Sequence, residues 1–211
     1  MYNLSHFKAE NYNEVLAFMH AHPFITLCGC DKDNKPVATH IPVLIEEREE
    51  KIFLQAHVMR KQKHSVAFEH NPNVLALFSG AHTYISASWY EKKDVASTWN
   101  YQAVHAAGIL HWKDDTFLHA LLTKLTKTFE NNIHSPSLVS KMSEGYVQDL
   151  MKAIVAFEIE ITSLEHVFKL SQNRDEKSYD NIIHRLQEGD NEARAVADVM
   201  QERKDHVFKA P

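Results

Sequence analysis

Residues 53–65, FLQAHVMRKQKHS, set an apolar run beside Arg60, Lys61, Lys63 and two histidines, with no acid before Glu69. A guanidinium offers a planar fork to two phosphate oxygens, an ammonium offers a point charge, and the amides opening a following helix add dipolar attraction. That combination suits one phosphate monoester. A solvated strand-to-helix connection that merely carries lysines is the plainer reading of the same residues.

Three further stretches hold chemistry-bearing side chains. In VATHIP, Thr39 and His40 are neighbours on an expected strand and so face opposite sides. SWYEKKDVASTWNYQAVH places Trp89, Tyr90, Trp99 and Tyr101 around a polar loop, which suits either the rim of a flat aromatic ligand or ordinary core packing. FKLSQNR ends a strand with Ser171, Gln172, Asn173 and Arg174, whose amides could read a heterocycle edge or cap a turn. His40, His57 and His105 are proton-transfer candidates by residue type alone, and no catalytic residue is assigned.

Several chemistries lack their motifs. The fifteen histidines form no HExxH, and the pairs His20/His22 and His64/His70 have no ligand set at metal spacing, so no metal site is expected. Five glycines leave no GxGxxG or P-loop, and there is no GxSxG elbow. Cys28 and Cys30, two apart in FITLCGC, share a strand face and read as free thiols.

The elements that must position these residues follow from periodicity. NYNEVLAFMHAH reads as an amphipathic helix capped by Asn11, with Glu14 three residues on. FITLCGC, VATHIPVLI, IFLQAHV, NVLALFSG, HTYISASWY and WNYQAVHAAGILHW read as successive strands, with Pro36 and Pro42 at strand ends or on an edge. KHSVAFEH is a short helix. From Asp114 the period changes to a helix with Phe117, Leu118, Leu121, Leu122, Leu125 and Phe129 on one stripe. A second, less regular helix over 137–154 precedes a late strand, Ala156–Ser163. This order predicts an α+β, mainly β fold: a split or closed antiparallel β-barrel decorated by helices. Residues 1–185 are expected to form the domain and 186–211 a polar helical tail.

With 211 residues, 44% hydrophobic and 24% charged, the chain can bury a core without staples. The N-terminal segment lacks the apolar centre of a signal peptide and no long apolar run follows, so a cytoplasmic protein is the default expectation, with no membrane partner. Net charge is −5, and segment 171–211 holds seven Lys and Arg against nine Asp and Glu. Neither that balance nor any helix-turn-helix pattern supports direct DNA binding.

Taken in order, PVATHIPVLI, AHVMRKQ, GAHTYISASWYE, STWNYQAVHAAG, MKAIVAFEIEI and FKLSQNR closely resemble the PaiB-type FMN-binding proteins, described as negative transcriptional regulators. The resemblance runs from about residue 1 to about 185. It implies the Greek-key split-barrel flavin fold, a homodimer with FMN at the subunit interface, and an Arg–Lys pair on the FMN phosphate, here Arg60 and Lys61. It further implies that Thr39, His40 and His57 line the flavin side, that Trp99 and Asn100 lie near the cofactor, and that Gln172 and Asn173 reach toward the ring. The implied function is an FMN-binding regulatory protein, acting through a protein partner or a small-molecule signal. An FMN-dependent oxidoreductase or flavin reductase, and a haem-binding split barrel, are the competing functions.

Overall fold

The structure is a computed structural model that describes residues 1–208. Helix α1 (Tyr12–Ala21) leads into strands β1 (Phe24–Cys30), β2 (Pro36–Pro42), β3 (Leu44–Arg48) and β4 (Lys51–Met59). Helix α2 (Lys63–His70) precedes the long strands β5 (Asn73–Ile85) and β6 (Thr98–Trp112). Helices α3 (Asp115–Glu130) and α4 (Glu144–Ala153), strand β7 (Ile154–Lys169), and helices α5 (Glu176–Gln187) and α6 (Asn191–Phe208) complete the chain. The seven strands form one sheet in the order β2-β1-β5-β6-β7-β4-β3.

Local chemistry explains most boundaries. Asn11 Oδ1 accepts from the Glu14 N–H at 3.0 Å and caps α1, while the Glu14 carboxylate reaches back to the Glu10 N–H rather than to Asn11. Strand β2 begins and ends at proline and lies at one edge of the sheet, where a missing N–H disrupts no ladder. The expected strand VATHIPVLI divides at Val43 into β2 and β3, NVLALFSG and HTYI join as one strand, β5, while Ala87–Trp89 forms a short 3-10 helix, and β7 runs two residues before and six beyond Ala156–Ser163.

The chain divides into two compact units. One comprises Met19–Phe78 and His105–Leu164. In it, Leu118, Leu121 and Leu125 of α3 pack on Ala156 of β7, as the helical stripe predicts, although Phe129, one turn further on, stands half exposed. Gly108 of β6 permits a close strand crossing, because a Cβ there would lie 2.4 Å from the Glu160 carbonyl oxygen. Glu158 of β7, 3% exposed, accepts hydrogen bonds from Arg48, Gln55 and Lys113.

The other unit comprises Met1–Phe18, Ser79–Val104 and Glu165–Pro211. Its core includes Phe18 against Phe168, Tyr179, Ile182, Val196 and Met200. Helix α6 is integral to this unit rather than peripheral: Val196, Ala197 and Met200 are fully buried, and the Tyr179 hydroxyl donates to the Met200 carbonyl at 3.0 Å. The polar average of the tail conceals a stripe at 193, 196, 197, 200 and 203, spaced for one helical face.

Candidate functional site

The corner joining β4 to α2 presents the cations that the sequence singles out. Strand β4 is fixed by pairing to β7, with His57 opposite Ala156 and Met59 opposite Ile154. The Arg60 N–H continues this hold by donating to the Ala153 carbonyl at 2.9 Å. Lys61 then turns the chain with φ of 59°, a left-handed conformation uncommon for a residue with a Cβ. Helix α2 starts immediately afterwards: Ser65 Oγ accepts from the Gln62 N–H at 2.9 Å and donates to the Gln62 carbonyl. The Gln62 side chain accepts from the Ser65 N–H to complete a capping box, which leaves the Lys63 and His64 amides without an intrahelical acceptor.

Helix α2 is seated by its buried Phe68 on β1. A Cβ at Gly29 would lie 2.7 Å from the Phe68 ring, so this glycine makes room for the helix. Lys61, Gln62, Lys63, Val66, Ala67 and His70 line one wall of a cleft of about 300 Å³, and Asp31 and Lys32 of the β1–β2 turn line the other. The Asp31 carboxylate accepts from the Asp33 and Lys35 N–H groups and is thereby committed to its own turn. Lys32 is the cation that sequence reasoning passes over, because DKDNKP reads only as a turn until the fold sets it opposite α2.

The charges at this corner are available to a ligand. Among the described residues the Arg60 guanidinium pairs with the exposed Asp115 carboxylate alone, at 3.4 Å, a surface contact that contributes little. Lys61 makes no ion pair among the described residues. His57, on the same strand, has a buried Nδ1 with no hydrogen-bond partner, and burial pushes its imidazole below the ordinary value. A cationic corner with an orphaned ring nitrogen nearby fits a phosphate-bearing heterocycle.

The remaining expected residues fall in different surroundings. Thr39 is half-buried opposite Leu27 on β2, and the exposed His40 stacks against Phe24 at 6.3 Å. These two share a unit with His57, Arg60 and Lys61. In the other unit, Trp99 is 52% exposed and meets Tyr84 edge-on at 6.1 Å. Asn100 is fully buried: its Oδ1 accepts from Ser171 Oγ at 3.1 Å, and its Nδ2 donates to Met200 Sδ at 3.4 Å. Gln172 braces its own turn, accepting from the Leu170 N–H and donating to the Phe168 carbonyl, while Asn173 is exposed. Tyr90 is buried beneath the Arg174 guanidinium, 4.2 Å from the ring centre.

A family model described as "Putative FMN-binding domain" matches residues 1–163. The chain belongs to this FMN-binding family. Membership makes FMN its cofactor. A relative, the protease synthase and sporulation protein PAI 2 of Bacillus subtilis, is 33% identical over 204 residues, covering 96% of this chain and 98% of that protein. Two solved structures show the split-barrel fold. The conserved hypothetical protein Rv2991 of Mycobacterium tuberculosis covers 80% of this chain and 90% of its own, at 13% identity and a TM-score of 0.53. The flavocytochrome Anf3 of Azotobacter vinelandii covers 76% and 68%, at 15% identity and a TM-score of 0.54. No helix among the described residues is long and apolar enough to cross a membrane.

Proposed function

We propose that the chain is a flavin-dependent regulatory protein whose FMN phosphate is held at the β4–α2 corner. The observation that carries this reading is Lys61, an unpaired cation held in a left-handed conformation between Arg60 and the start of α2. Such a conformation costs about 1 kcal/mol or more, and a glycine would relieve it. An ammonium at this position, rather than a glycine, is what a phosphate ligand would use.

In this arrangement Arg60 supplies a fork to two phosphate oxygens, Lys61 a third charged contact, and the first amides of α2 the remaining donors. FMN, when bound, supplies one- or two-electron redox chemistry. The imidazole of His57, held neutral by burial, lies on the strand that leads into Arg60. The name of the Bacillus relative, tied to protease synthesis and sporulation, supports a regulatory output. With a C-terminal segment that is acidic on balance, that output is read as acting through a protein partner rather than direct DNA contact. A second copy of the chain is the expected partner at the cofactor. The exposed Phe24, Met59 and Val66 in one unit, and Tyr84 and Trp99 in the other, supply apolar surface of the kind that association covers.

Fluorescence titration of the apoprotein with FMN tests the reading. Arg60→Ala and Lys61→Gly should each weaken binding by about ten- to a hundredfold, the loss expected for a charge-assisted contact. Lys61→Gly should also leave the apoprotein at least as stable as the parent, because glycine suits the backbone there. Unchanged FMN affinity in both variants would remove the corner from the cofactor site.

A further inference from the structure

A second cleft lies wholly within the unit formed by the chain's two ends. It has a volume of about 270 Å³ and is bounded by the N-terminal segment, the Gln172 turn and α6. Its base is Arg203, only 8% exposed, yet carrying a buried Nε with no hydrogen-bond partner among the described residues. A buried guanidinium donor left open is costly unless something accepts from it. Lys8, half-buried at the wall, spends one proton on the His166 carbonyl at 3.1 Å and keeps two more to donate.

The Glu14 carboxylate pairs with the Arg203 guanidinium, and Glu10 Oε1 lies 3.2 Å from His206 Nδ1. Lys8 makes no ion pair among the described residues, and His6 is a further ring at the rim. Ala9 and Val207 contribute an apolar wall beside these donors. The volume falls just below the range typical of drug-sized ligands.

We propose that this cleft binds a small monocarboxylate, its carboxylate taken by Lys8 and Arg203 and its short apolar tail laid on Ala9 and Val207. The site is separate from the β4–α2 corner, and α6, which supplies Arg203 and Val207, lies beyond the 1–163 span of the FMN-binding family match. A carboxylate bound here would tie the N-terminal segment to α6. It would therefore report a small acid to the C-terminal unit whether or not flavin is present.

Isothermal titration calorimetry of the full chain without FMN tests this, using butyrate and inorganic phosphate as separate probes at fixed ionic strength. Saturable one-site binding of butyrate is expected, weakened at least tenfold in Lys8→Met and in Arg203→Met and largely kept in Lys8→Arg. FMN affinity should be unchanged in Lys8→Met, so failure of the flavin reading and failure of this one are distinguishable. If Arg203→Met does not fold, Lys8→Met decides. The proposal is overturned by the absence of saturable butyrate binding, by binding of phosphate alone, or by butyrate binding that survives Lys8→Met. Butyrate binding abolished by Arg60→Ala would place the anion at the flavin corner and equally overturn it.

Discussion

Arg48 Nη2 donates to the Glu158 carboxylate at 2.5 Å, and this contact joins β3 to the far side of β4 through a residue of β7 that is almost wholly buried. Burial alone would raise the Glu158 carboxyl. The hydrogen bonds from Arg48, Gln55 and Lys113 outweigh burial and hold it below the ordinary carboxylate value. A group depressed in the folded state contributes stability above its unfolded pKa, and that contribution fades as pH falls through the folded value. The protein should therefore lose stability on acidification from about pH 4.3 downward. Glu158→Gln should remove part of that slope and cost about 1–3 kcal/mol at neutral pH, since Arg48 and Lys113 remain partly solvated. Urea unfolding at pH 7 and pH 4 measures both effects.

Gly29 and Phe68 test how the cationic corner is positioned. Gly29→Ala drives a methyl group into a fully buried ring and should cost about 1–3 kcal/mol, as overpacking does. Because α2 carries Lys63 and follows Lys61 directly, FMN affinity should fall as well. Phe68→Leu in the Gly29→Ala background should recover FMN affinity in part by making room. Recovery of neither stability nor affinity would show that α2 is not held through this contact.

Alternation and punctuation made most of the fold legible. The strand-rich order, the proline-bounded β2 and the α3 stripe are readable because each obeys a local rule of period or backbone chemistry, whereas the break of VATHIPVLI at Val43 into β2 and β3 is not. The length of β5 was not, because SGAH resembles a break while its backbone continues in the ladder. At the candidate site, Arg60 and Lys61 were readable from charge beside a strand end. Lys32 and Arg203 were not: the first becomes relevant only when a turn meets a helix distant in sequence, and the second is one cation in a charged helix until its burial is known. Asn100 and Gln172 carried a signal of polar type but not of use, since their hydrogen bonds to Ser171, Met200 and the 168–170 backbone depend on tertiary placement.

His57 should stay neutral below the usual histidine midpoint, because burial penalises the imidazolium. With a folded pKa under the unfolded value near ~6.5, the unfolded chain binds the proton first on acidification. Stability should then decline from about pH 6.5 downward, and His57→Gln should flatten that part of the profile. A ring-nitrogen NMR titration of the apoprotein should place the His57 midpoint below the ordinary imidazole value. A midpoint above that value would mean that the buried Nδ1 has a charged partner.

The two chain ends depend on α6. Asn100 joins Ser171 to Met200, so one buried amide links β6, the turn after β7 and the C-terminal helix. Asn100→Ala should cost about 1–3 kcal/mol, because it strands the Ser171 hydroxyl, itself 3% exposed. Met200→Leu should cost less, since it removes only a weak sulfur acceptor and keeps the packing. Truncation after Gly189 removes Val196, Ala197 and Met200 from the core and exposes Tyr179 and Ile182. The truncated chain should show amide exchange near the unfolded rate in the segments Met1–Phe18 and Glu165–Gly189, with protection retained in β1 and β4 of the other unit. Native-like protection at Phe168 and Tyr179 in the truncated chain would show that the helix is dispensable.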